Sequence, residues 1–186
     1  MASGITAAVV DAWDEIERWY EAQGAAHLIL PPASDEQIAA LEKSLGIELP
    51  EAVTASLRRH NGSTDGGWPT GTLLSCDGIL REVGVWRELL TSGDFDDVKD
   101  FVAEGEALKA GWWQLGWVSL DADGGGNGAV LDLSPGPGGK VGQVIDMDHE
   151  TGPSGPVASD FVGYLTAIAT RLGDFAVVDG QYVEEQ

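Results

Sequence analysis

Apolar residues recur along the first third of the chain with the spacing of helix faces. Val9, Trp13, Ile16 and Tyr20 follow at intervals of four, three and four, while Asp14, Glu15, Glu17, Arg18 and Glu21 take the other faces. This predicts an amphipathic helix that Gly24 closes. A second helix is predicted from Ser34, where the hydroxyl caps a backbone N–H and Gln37 reaches back to complete a capping box. Ile38, Leu41 and Leu45 form its buried stripe, and Gly46 supplies the left-handed stop. Pro50 opens a third helix, where its missing N–H costs nothing. Val53 and Leu57 point inward, and Asn61 and Gly62 end it.

Beyond Gly62 the pattern changes. "GTLLSC" reads as a strand and "EVGVWRELL" as a short helix. In the acidic stretch 92–111, Phe95, Val98, Phe101 and Val102 fit a helix face but Gly105 interrupts it. From Trp112 the periodicity becomes that of sheet. "WWQLGWVSL", "GAVLDLS" and "KVGQVIDMD" are three predicted strands, joined by the Gly-rich turns "DADGGGNG" and "PGPGG". "VASDFVGYLTAIATRL" is a helix started by Ser159 or Asp160, with Phe161, Tyr164, Leu165, Ile168 and Leu172 on its apolar face. The tail "GDFAVVDGQYVEEQ" either adds a short strand or frays. Helices, then an antiparallel meander, then a helix make an α+β domain with helices packed on the sheet. At 186 residues the expectation is a single domain over 1–186, with a variable acidic segment at about 92–111 and a short C-terminal tail.

Charge narrows the function classes. There are 31 acids against 10 bases, a net charge of −21. Such a surface repels nucleic acids and anionic membranes and speeds encounter with basic proteins. The N-terminus has no basic leader, and no stretch approaches the roughly 20 apolar residues of a membrane helix. One cysteine, Cys76, permits no intrachain disulfide and is expected to pack as a small apolar residue. Together these predict a cytoplasmic protein.

Motifs for chemistry are incomplete wherever they are tested. "DADGGGNG" resembles half of a calcium loop, but its fifth position is Gly125 and its twelfth Asp132, where a bidentate glutamate is needed. A hairpin turn is the better reading. "VIDMDHE" echoes the aspartyl phosphotransferases, yet only 38 residues follow Asp148 and no βαβ context surrounds it. "PGPGGK" fails as a phosphate loop, because Ser134 replaces the first glycine and Val141 follows Lys140. His27, His60 and His149 lie in separate segments, and His60 has a sufficient reason to sit at a helix C-terminus in its favourable interaction with the dipole. Neither a catalytic constellation nor a bound cofactor or metal is expected.

The tryptophans raise a different question. Trp112 and Trp113 are adjacent, so on one strand they point to opposite faces. Trp68 stands in "HNGSTDGGWP", a loop with three glycines. The loop either presents it to a partner or folds back so that it plugs the end of the sheet.

The order "AWDEIERWY", "LILPPASDEQIAALEKSLGIELPEAVTASLRRHNG", "LLSCDGI", "WVSLDADGGGNGAVLDLSPGPGGKVGQVI" and "VASDFVGYL" resembles the SMI1/KNR4 family of the SUKH superfamily, from about Trp13 to Leu172. The resemblance implies a central sheet flanked by helices and no enzymatic activity. It implies a protein-binding role: a bacterial immunity protein that neutralises a polymorphic toxin such as a nuclease, or alternatively a regulatory scaffold in intracellular or cell-wall signalling. In that family the binding surface is the sheet and adjacent loops. This places Trp68, Asp121, Asp123, Asn127, Asp146, Asp148 and Glu150 as candidate partner-binding residues. Only the "GGGN" loop and the strand "GQVI" align with family motif positions; the carboxylates are chosen on electrostatic grounds, for a basic partner such as a toxin domain.

Overall fold

A computed structural model describes residues 4–178 and 181–184. Its first helix, α1 (Gly4–Ala22), buries Val9, Trp13, Ile16 and Tyr20, the four residues of the predicted stripe. Helix α2 (Asp35–Leu45) has the capping box at its start: the Gln37 N–H donates to Ser34 Oγ at 3.2 Å, and the Ser34 N–H to Gln37 Oε1 at 2.9 Å. Gly46 closes it at φ +67°. Helix α3 (Glu51–Arg59) follows Pro50, whose carbonyl accepts from the N–H groups of Val53 and Thr54.

The strand expected at "GTLLSC" is only β1 (Thr72–Leu73), and helix α4 (Cys76–Ser92) starts well before the expected "EVGVWRELL". Ser75 is its cap, its Oγ accepting from the Gly78 N–H at 3.1 Å, while Asn61 Oδ1 accepts the Cys76 N–H at 2.8 Å. Gly78 and Gly84 lower the helix signal along the sequence, but packing of Cys76, Ile79, Val83 and Trp86 decides the outcome. Cys76 is buried, which pushes its thiol pKa up.

The sheet is antiparallel in the order β2-β4-β5-β6, built from β2 (Trp117–Ser119), β4 (Gly128–Asp132), β5 (Gln143–Asp148) and β6 (Gly152–Ala158). Strand β3 (Asp121–Ala122) leaves it to pair with β1. Helix α5 (Phe161–Leu172) begins on Asp160, whose Oδ1 accepts the Gly163 N–H at 2.9 Å. The tail forms an antiparallel hairpin, β7 (Phe175–Val178) with β8 (Gln181–Glu184). The fold is α+β, with the N- and C-terminal helices α1 and α5 packed on each other.

Strand alternation divides the interior in two. Val118, Leu131 and Val144 face a core shared with α1, α2, α3 and α5. Their neighbours Trp117, Val130, Ile145 and Met147 face a second core with Trp86, Leu108 and Trp113. Both faces of β2, β4 and the first half of β5 are therefore covered, while most of β6 and Asp146 on β5 stay open to solvent.

The second core corrects two expectations. Trp112 and Trp113 do not share a strand, which begins only at Trp117. Trp113 instead stacks on Trp86 with centroids 4.8 Å apart, and Trp112 lies half-buried against Phe101. The acidic stretch 92–111 holds one short 3-10 turn, Asp96–Val98, rather than a helix. It still contributes Leu108 to the core, and the Ala107 and Glu106 carbonyls accept the Gly136 and Gly138 N–H groups at 2.9 and 2.8 Å. The Pro-Gly turn needs its glycines there: a Cβ on Gly136 would lie 2.5 Å from the Glu106 carbonyl oxygen.

Candidate functional site

The glycines of "DADGGGNG" make a tight hairpin between β3 and β4. Asp123 Oδ1 accepts the Gly125 and Asn127 N–H groups at 2.7 and 3.0 Å, and its Oδ2 accepts from Asn127 Nδ2 at 2.7 Å. Burial alone would raise the Asp123 pKa, but these donors outweigh it and hold the carboxyl below its usual range. The side chain that a calcium ion would need is thus committed to its own loop.

Asn127 continues the connection. Its Oδ1 accepts the His149 N–H at 3.0 Å and ties the hairpin to the turn after β5. There Asp148 Oδ1 accepts the Glu150 and Thr151 N–H groups, both at 2.8 Å. The backbone donors of Thr151 and then Glu150 depress the Asp148 pKa. Glu150 is exposed on the same turn.

Asp121 is different. It is 1% exposed, so it is no surface carboxylate. Its Oδ1 accepts the Ala129 N–H at 2.6 Å; its Oδ2 accepts the hydroxyls of Thr70 at 2.5 Å and Tyr164 at 2.6 Å. Burial nevertheless dominates and pushes its pKa up, with the Asp146 charge adding to the shift. Asp146 is exposed on β5, and its pKa is raised first by partial burial and then by Asp148.

Trp68 is also inside, 1% exposed, and this overturns its placement as a presented anchor. The glycine loop turns it inward, where it lies 5.8 Å from the Trp13 ring and its Nε1 donates to Tyr164 Oη. It plugs the first core from behind the site.

Four of the seven candidates, Asp121, Asp123, Asn127 and Asp146, line one cleft of about 440 Å³ between the sheet and α5. Asp148 and Glu150 stand on the adjoining turn, and Trp68 does not line the cleft but is hydrogen-bonded to Tyr164, which does. Sequence reasoning missed the other half of the cleft: Thr70, Val157, Ala158, Tyr164, Ile168 and Arg171. Tyr164 and Ile168 were legible as an apolar helix face, but nothing local said that this face meets β6 across a gap. Among the described residues, no group of three or more His, Cys, Asp or Glu could hold a metal ion, and no helix is long and apolar enough to cross a membrane.

Comparison with known proteins adds the lineage. Residues 32–167 match the sequence model of the SMI1 / KNR4 family (SUKH-1). The chain is 31% identical over 182 residues to the cell wall biosynthesis/cell cycle regulator smi1 of Schizosaccharomyces pombe, covering 87% of this chain and 35% of that protein. It is 26% identical to a glucan synthesis regulatory protein of Neurospora crassa, covering 88% and 38%. It is 23% identical to the cell wall assembly regulator SMI1 of Saccharomyces cerevisiae, covering 90% and 41%. The chain thus spans less than half the length of these relatives. With the family match extending over most of its length, this chain belongs to the SMI1/KNR4 (SUKH-1) family.

Proposed function

We propose that this chain is a non-catalytic protein-binding domain that serves as a regulatory scaffold in intracellular signalling. The observation that carries the reading is the cleft: an open, acid-rimmed, apolar-walled groove on a molecule of net charge −21. Asp121, Asp123 and Asp148 are held by backbone donors or buried hydroxyls, an arrangement suited to binding rather than proton transfer. The regulatory half of the reading is supported by the three fungal relatives, named as regulators of cell-wall or glucan synthesis. Neutralisation of a basic toxin is the second reading, favoured by the charge, which speeds encounter with a cationic surface.

Capture on the immobilised chain from its own cells, eluted by salt and compared with an Asp146→Lys chain, tests both. Signalling or cell-wall proteins that depend on Asp146 support the scaffold. A single basic toxin whose activity the chain blocks replaces the scaffold with neutralisation. A measured turnover that Asp146→Asn abolishes overturns both.

A further inference from the structure

The cleft can be read for the shape and charge of what enters it. Its walls are aliphatic: Val157 and Ala158 from β6, Ala167 and Ile168 from α5. Val157 stays 57% exposed at the rim, an apolar contact without a cover. At the sheet side stand two carboxylates, Asp121 at the base and Asp146 above it. Among the described residues, the Asp146 side chain has no hydrogen bond or ion pair, and the charges that act on it and on Asp121 are other carboxylates. Asp121 accepts three hydrogen bonds where an ionised carboxylate has about four acceptor positions. One position on Oδ1 is left in a place closed to bulk water. A groove with aliphatic walls and a pair of mutually repelling, incompletely partnered carboxylates is complementary to a cation on an apolar stem.

The other charged groups around the cleft sharpen this. Arg171 on α5 lines it, but its guanidinium lies 5.7 Å over the Phe175 ring, and among the described residues it forms no ion pair. Its charge leaves room for one further cation rather than a polybasic run. Asp123 is held by its own loop, and His149 lies against Asn127 and Glu150. A metal ion is the poorer occupant, since Asp121 Oδ2 already faces two hydroxyl donors.

We infer that this cleft receives one lysine or arginine side chain of a partner protein, its stem against Val157 and Ile168 and its charge at Asp146. The inference rests on the protein-binding reading above and specifies its contact.

The test uses the isotope-labelled full chain and three small probes in NMR titrations. Nα-acetyl-lysine methylamide and Nα-acetyl-arginine methylamide carry the cation; Nα-acetyl-norleucine methylamide carries the stem alone. Expected are saturable shifts of the Thr70, Ala129, Val157 and Tyr164 amides with a cationic probe and none with norleucine. Asp146→Asn should weaken that binding about fivefold, the worth of a partly exposed charge pair. Val157→Lys, which places a tethered cation at the rim, should abolish it while the spectrum stays that of the folded chain. Equal shifts with norleucine, shifts confined to carboxylates elsewhere, or no shift with any probe would overturn the inference. Those results leave the capture experiment intact, so the cleft and the scaffold reading fail separately.

Discussion

Trp68 Nε1 donates to Tyr164 Oη at 3.0 Å across 96 residues of chain, and the same hydroxyl donates onward to Asp121 at 2.6 Å. One tyrosine thus joins the glycine loop, helix α5 and the start of the β3–β4 hairpin. The loop must be glycine-rich for Trp68 to turn inward: a Cβ on Gly67 would lie 2.6 Å from Thr64 Oγ1. The tryptophan supports the cleft from within and is closed off from solvent.

Trp68→Phe therefore affects stability first. It keeps most of the buried ring and removes one buried hydrogen bond, at an expected cost of about 1–3 kcal/mol. Trp68→Ala should cost about 3–5 kcal/mol, because a large cavity opens in the core. Denaturant unfolding of the two variants reads both values. An unchanged midpoint for Trp68→Ala would restore the presented-anchor placement.

Helix stripes and caps were legible because their signals are local. Ser34 and Gln37 are three residues apart, and Gly46 closes its helix by a conformation it adopts alone. The strand read at "GTLLSC" shows the limit. Leu73 and Leu74 are apolar and buried, but Ser75 turns the chain into a helix whose register is set by contacts with distant strands. The tryptophan pair fails for a similar reason. Trp113 is placed by stacking on Trp86, and no alternation within "WWQLGW" encodes that. Of the cleft, the carboxylate side was legible because it lies on the β3–β4 hairpin and the adjoining strand β5. The aliphatic side was not, because Val157 and Ile168 meet only through the packing of α5 on β6.

Gly62 offers a sharp test of the corner that carries the loop. It sits at φ +84°, and an added Cβ would meet the Leu73 carbonyl oxygen at 2.5 Å and the Ser75 N at 2.6 Å. Both obstacles are backbone, so neither can rotate away. Gly62→Ala should lower stability by about 2 kcal/mol or more, combining left-handed strain with the clash. Gly66, also at positive φ but with nothing within 4 Å, is the control. Gly66→Ala should cost about 1 kcal/mol from conformation alone. Equal losses at the two sites in thermal unfolding would contradict the close approach at Gly62.

Asp121 predicts a pH dependence of unusual sign for a carboxylate. Burial raises its folded pKa above the unfolded value of about 3.9, so between those two values the folded state binds more protons. Its contribution to stability is full below about pH 3.9 and is lost as pH rises through the folded pKa. Asp121→Asn removes the titration and unbalances the donors Thr70 and Tyr164. The variant is expected to be less stable in acid, with the gap to the parent narrowing as pH rises through that window. Urea midpoints at a series of pH values measure it; a gap that widens with pH would reverse the assignment.

Glu17 predicts the opposite slope. Arg59 donates to it through Nε at 2.5 Å and Nη2 at 2.6 Å, and His60 Nε2 lies 2.7 Å from its Oε1. The hydrogen bonds from Arg59 depress its pKa, against a smaller contribution from burial. A depressed carboxylate stabilises the fold above its unfolded pKa of about 4.3 and loses that contribution as pH falls through the folded value. Glu17→Gln should cost about 1 kcal/mol or less near neutrality, because the Arg59 pair is partly open to solvent and screened by salt. The difference from the parent should close in acid, where both chains are neutral at this position. Since Glu17 joins α1 to the end of α3 and Asp121 joins the hairpin to α5, the two variants read separate parts of the molecule. A loss for Glu17→Gln that persists unchanged below the unfolded pKa would mean that packing, not charge, holds the α1–α3 contact.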